Sequence, residues 1–167
     1  MSEESRHASL THQAQTRIWE WSIVIKAISL KQPWATLVIT GAKKYETRSW
    51  KTGHRGALAI HASRSFSAQL ARLCQHEPFR SALLAAGYKK ASELPRGVLL
   101  GTVELLEVCS TDDIDPRTLS ATELAFGDFR PRRFAFKLGD PARWKKPLAM
   151  QGQLNIFDVD LSDQGEF

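Results

Sequence analysis

The chain has 167 residues, 43% of them hydrophobic and 25% charged. That length and balance fit one domain with a single core and argue against a disordered chain. Its net charge of +5 and pI near 9.4 suit an anionic partner such as RNA or DNA. The two cysteines, Cys74 and Cys109, form no CxxC and no Cys/His cluster at ligand spacing, which excludes a disulfide framework and the usual kind of zinc site. No metal and no cofactor are expected. No apolar run reaches the ~20 residues of a membrane span, and the N-terminus opens on Glu3 and Glu4, unlike a signal peptide. A cytoplasmic protein without a membrane partner is the expectation.

In chain order, residues 1–22 lack an apolar period and read as a flexible arm, with a helical turn around Thr16 to Trp21. Residues 23–162 read as one domain and 163–167 as a tail. "WSIVIKAISL" predicts the first strand. In "KQPW", Pro33 suits a helix's first turn, and Trp34, Leu37, Val38 and Gly41 follow at helical spacing as a short amphipathic helix ended by Gly41. A strand from about Lys44 to Trp50 comes next. "KTGHRG" reads as a turn, and "ALAIHAS" as the second strand of a hairpin. "SFSAQLARLCQHEPFRSALLAAGY" reads as helix, broken at Pro78 and ended at Gly87. "GVLLGTVELLEVCS" is a long strand in which Gly101 permits a bulge. Residues 112–128 read as loop plus a short helix, "RRFAFKLG" as a strand, "DPARWKKPLAMQGQ" as an irregular loop and "LNIFDVDL" as the closing strand. Scattered strands with inserted helices predict an α+β domain, a small closed or half-closed barrel with helices packed at its ends.

The charge is unevenly placed. Between Lys26 and Arg64 eight basic residues face one acid, Glu46; between Arg130 and Lys146 seven face one, Asp140. In "GAKKYETRSW", strand alternation puts Lys44, Glu46, Arg48 and Trp50 on one face and Tyr45 and Thr47 on the other. Such a row is either a surface ion-pair ladder worth about 0–1 kcal/mol or a set of charges held for a ligand. His61, in "AIHAS", is either structural or functional. Arg96 and Gly97 before a strand either admit a ligand close to the backbone or make an ordinary turn. Arg143, Trp144, Lys145 and Lys146 suit base stacking with phosphate contacts, or a core-anchoring Trp with solvated neighbours. No GxSxG, phosphate loop, GxGxxG or HExxH is present.

Taken in order, "ISLKQPWATLVITGAKKYETRSW", "HRGALAIHAS", "RGVLLGTVEL", "GDFRPRRFAFKL" and "PLAMQGQLNIFDVDL" resemble the ASCH domain from about Ile28 to Leu161. The GxKxxExR motif of that family is present as Gly41, Lys43, Glu46 and Arg48. The resemblance implies a β-barrel similar to the PUA superfamily, with the motif lining a cleft beside the barrel. It also implies a ligand that is RNA or a (modified) nucleobase or nucleoside. Some small bacterial members remove the acetyl group of N4-acetylcytidine, and one has been described as a ribonuclease. In the amidohydrolase members a lysine and a threonine of the motif and a glutamate elsewhere form the catalytic trio. The lysine corresponds to Lys43, the threonine position holds Glu46, and Glu104 is the nearest candidate for the third. In "FRPRRF", Arg132 stands where relatives often carry glycine.

The leading expectation is therefore a binding module for RNA or a nucleobase. Its ligand-binding residues would be Trp34, Lys43, Glu46, Arg48, His61, Arg96 and Trp144, with phosphate contacts from Arg130, Arg132, Arg133, Lys145 and Lys146. The alternative is an enzyme removing an acyl group from N4-acylated cytidine, with Lys43 activating the nucleophile and Glu46 shuttling protons. A ribonuclease and a protein-interaction adaptor are further readings.

Overall fold

The computed structural model describes residues 23–162; the predicted arm and tail lie outside the described residues. Ten helices and strands follow in the order β1 (Val24–Leu30), α1 (Trp34–Ile39), β2 (Tyr45–Arg48), β3 (Gly56–Ala62), α2 (Ala68–Leu73), α3 (Phe79–Ala85), β4 (Val98–Ser110), α4 (Ala121–Phe126), β5 (Phe134–Ala149) and β6 (Ile156–Asp160). The six strands form one sheet in the order β2-β5-β4-β3-β1-β6. The α+β class is as expected.

The sheet is not closed, so of the closed and half-closed barrels expected it is the open form that the chain adopts. Among the described residues β2 and β6 are its edges, and the sheet curls until β2 approaches β1. A side chain bridges the remaining gap: Arg48 Nη2 donates to the Ser29 carbonyl at 2.8 Å. A guanidinium arm spans a distance that a backbone ladder, at about 4.8 Å between strands, does not reach.

The expected hairpin between β2 and β3 is corrected. β2 pairs antiparallel with β5, Glu46 opposite Phe136. β3 pairs parallel with β1, Ile28 opposite Ile60, and antiparallel with β4. Burial explains the exchange. Residues 58–62 are buried on both faces, as a central strand requires, whereas the charges of β2 are tolerated only at an edge. Burial overrode the turn signal.

β5 runs on through most of the segment read as an irregular loop. Its prolines, Pro141 and Pro147, have no register partner on β4, because the pairing shifts between Leu99 and Gly101 and again between Thr102 and Glu104. At such bulges a missing N–H costs no ladder bond.

Three apolar clusters hold the layers together. Ile28, Ile60, Val103, Leu105 and Phe136 pack on one sheet face against Val38 and Ile39 of α1. Burying a side chain such as Phe136, fully shielded, contributes about 2–3 kcal/mol. Leu37, on the far side of α1, joins Phe79 and Leu83 of α3 and Phe126 of α4. α1 is thus buried from Ala35 to Ile39 rather than amphipathic. Behind the sheet, Ala27, Leu99 and Phe157 pack with Trp144 and Met150.

Candidate functional site

Local chemistry sets the entrance to the site. Gln32 is fully buried; its carbonyl oxygen accepts from Thr36 N at 3.1 Å, capping a free amide in the first turn of α1. Its amide donates to Pro95 O at 2.8 Å, tying the loop before β4 to this helix. Gly41, at φ +77°, turns the chain out of α1, and Lys43 N returns to Leu37 O. Lys43 is thereby delivered inward at the start of β2.

Lys43 is only 2% exposed. Its Nζ donates to Tyr45 O and lies 3.6 Å from Glu46 Oε2. Burial depresses its pKa; Glu46 and Glu123 oppose the shift, while Arg48 adds to it. Glu46 Oε1 lies 3.0 Å from Arg48 Nε, and the Arg48 guanidinium sits over Trp50, 5.8 Å from the ring centroid. Glu46 and Arg48 therefore share one face of β2, and Trp50, two residues past the strand, lies against Arg48.

That face lines a cleft of about 630 Å³ between the C-terminal end of β1, β2, the end of α4 and the loop before β6. Trp34 forms another wall, its indole N–H held by Phe126 O at 2.8 Å. Arg133 also reaches the cleft. Arg130, Arg132 and Arg133 together surround an adjoining hollow with Ser49 and Pro131. Asp128 takes a bidentate bond from Arg130, at 2.8 and 2.7 Å, and lies 3.3 Å from Arg133 Nε. The hydrogen bonding of Arg130 holds the Asp128 carboxyl down at about 2.

The other predicted residues sit elsewhere. Lys43 lies behind Glu46 and is not part of the cleft surface. His61 is buried behind Ser29. Its Nε2 lies 3.1 Å from the Met150 carbonyl, which only accepts, so Nε2 carries the proton and Nδ1 accepts from Ser29 Oγ at 3.0 Å. Burial lowers the His61 pKa, partly offset by that carbonyl. Gly152 closes over the pair: a Cβ there would lie 2.4 Å from Ser29 Oγ and 2.5 Å from His61 Cε1. Arg96 stacks over Phe66 at 5.4 Å. Trp144 joins the cluster behind the sheet, and Lys145 and Lys146 are exposed along β5. Glu104 lines neither the cleft nor the surroundings of Lys43.

One buried carboxylate escaped sequence reasoning. Glu123 of α4, buried at 6% exposure, accepts from Lys44 N at 3.0 Å and Tyr45 N at 2.8 Å. Its charge also favours the Lys43 ammonium. A capping pattern, Ser120 three residues ahead, was its only local signal; Ser120 Oγ accepts from Glu123 N at 3.0 Å.

The fold and cleft define a small α+β domain with a curled, open sheet and a charged, tryptophan-walled site at its seam. The ASCH domain model matches residues 28–127, and the chain belongs to that family, which is related to the RNA-binding PUA-like fold. Among curated proteins it is 29% identical over 128 residues to activating signal cointegrator 1 of Mus musculus, and 28% identical over 134 residues to that of Homo sapiens. Each match covers 71% of this chain and 22% of the relative's length. Among solved structures the ASCH protein of Zymomonas mobilis superposes with a TM-score of 0.50 at 15% identity, over 80% of this chain and 86% of that one. A mutant of the same protein gives 0.50 at 14% identity, over 83% and 91%. These structural likenesses show the fold.

Proposed function

We propose that this domain binds RNA or a nucleobase, with the base entering the cleft between β1 and β2. The observation that carries this reading is the Glu46–Arg48 pair set between Trp34 and Trp50. A carboxylate accepts from the exocyclic amino group of cytosine or adenine, an aromatic face stacks on any base, and mouth arginines meet phosphate. The test is equilibrium binding of RNA oligonucleotides and of modified and unmodified nucleosides across a salt series. Log affinity for RNA is expected to fall linearly with log salt. Glu46→Gln should weaken the preferred base roughly tenfold and Arg132→Ala, at the mouth, should weaken all RNA alike. Absent binding, or binding insensitive to salt, defeats the proposal.

Asp128 occupies two of the mouth arginines. Asp128→Asn is expected to raise RNA affinity irrespective of sequence, by roughly 3- to 10-fold at low salt. Lower affinity in that variant would count against the mouth as a phosphate contact. With its carboxyl held at about 2, the stability Asp128 lends is present above the ordinary carboxylate pKa. It is lost only as pH falls through that lowered value, so the mouth keeps its charge pattern throughout pH 5–8.

A second reading, hydrolysis of N4-acylated cytidine, is favoured by the depressed pKa of Lys43 beside Glu46. With Nζ behind Glu46, the lysine would act through that carboxylate, which takes a proton from water as it attacks the acyl carbon and returns it to N4 as the acyl C–N bond breaks, giving cytidine and the free acid. Release of cytidine from N4-acetylcytidine, absent in Lys43→Ala, is the corresponding assay; turnover equal to that control removes this reading.

A further inference from the structure

A second cavity, also of about 630 Å³, adjoins the cleft and shares Ser29, Ser63, Gln153 and Leu154 with it. Three segments converge there. Gly97 N donates to Ala62 O at 2.7 Å, and Met150 N to Gly97 O at 3.1 Å. The lining includes Ser63, Arg64, Ser65, Gln151 and Gln153 and no acidic residue.

Arg64 is the one formal charge in that lining, and among the described residues no carboxylate pairs with it. Its guanidinium lies along Gly97: a Cβ on that glycine, itself at φ +67°, would come within 3.1 Å of Arg64 Nε. A larger residue there would make the arginine side chain shift by a few tenths of an ångström. The ridge between the two cavities ends in Leu154, 89% exposed, an apolar side chain held at the edge of both sites.

We propose that this second cavity is a phosphate subsite, so that the ligand of the domain is a nucleotide or a nucleotide within a strand rather than a free nucleoside. The inference rests on the cleft being the base site. A base in the cleft would place its sugar over the Leu154 ridge and its phosphate beside Arg64, Ser63 and Ser65. An unpaired guanidinium flanked by hydroxyls and amides, with no competing acid, is suited to a phosphate oxygen.

The experiment measures affinity of wild type and Arg64→Gln for the four nucleosides, their 5′- and 3′-monophosphates, inorganic phosphate and a mixed-sequence RNA octamer. Phosphorylated probes are expected to bind wild type roughly tenfold tighter than the matching nucleoside, and Arg64→Gln to erase that difference while leaving nucleoside affinity unchanged. A gain with monophosphates assigns the subsite to a terminal phosphate. A gain with the octamer alone assigns it to an internal phosphodiester. Arg64 is exposed, and circular dichroism checks that the variant keeps its fold. If nucleosides bind but Arg64→Gln changes no phosphorylated probe, or weakens nucleosides equally, the subsite is overturned and the cleft reading stands. If neither nucleosides nor RNA bind, both fall together.

Discussion

Glu46→Ala is expected to destabilise the domain by about 3 kcal/mol at pH 6, and by clearly less at pH 9. The reason is Lys43 rather than Glu46 itself. Lys43 is shielded from water, and Glu46 is the strongest of the charges that favour its ammonium. Removing that carboxylate leaves a buried cation facing Arg48, so its folded pKa falls further below the value it has in the unfolded chain. Below the folded pKa the full cost of burying the charge is present. As pH rises through it Lys43 becomes neutral, and the unfolded state then binds more protons, so stability rises with pH. Denaturant unfolding at the two pH values measures this, and equal losses at both would refute it. The double variant Lys43→Met with Glu46→Ala should recover most of the loss, because a methionine fills the space without a charge to solvate.

The second large effect is expected at Glu123. Its carboxylate receives two backbone amides at the start of β2, Lys44 and Tyr45, and adds to the field that keeps Lys43 charged. Glu123→Ala strands both amides and weakens that field, a loss of about 3 kcal/mol. Glu123→Gln keeps an acceptor oxygen and should lose about half as much. Hydrogen exchange separates the mechanism from general loosening: the amides of Lys44 and Tyr45 should exchange faster in Glu123→Ala than those of β3, buried in the sheet centre. Uniform acceleration along the chain would show that the clamp is not specific to β2.

These expectations differ in how far the chain itself announces them. Period-two alternation placed Lys44, Glu46, Arg48 and Trp50 on one face; the last three do line the cleft, but Thr47 joins them there and Lys44 does not. Helical spacing found α1, but not that it would be enclosed from both sides, since enclosure depends on α3 and α4 arriving from later in the chain. The misjudged pairing of β2 and β3 has the same origin. A glycine-bearing turn is a local signal, whereas the choice of partner strand is settled by which strands are apolar on both faces. The prolines of β5 pointed to a loop because their tolerance depends on bulges that only register reveals. Glu123 lies 79 residues from Lys44, and no spacing rule links residues so far apart. Gln32, sitting in the plainly visible "KQPW", was passed over because its task is defined by Pro95.

The Arg48–Ser29 contact has a consequence for how the domain admits a ligand. In a closed barrel, opening a path between neighbouring strands means breaking a row of backbone hydrogen bonds. Here the edge strand β2 meets the C-terminal end of β1, past its pairing with β6, through the Arg48 side chain, which also forms part of the binding wall. Entry and recognition thus share a latch. A ligand that draws Arg48 toward itself would loosen this tie across the seam while every ladder of the sheet remains intact.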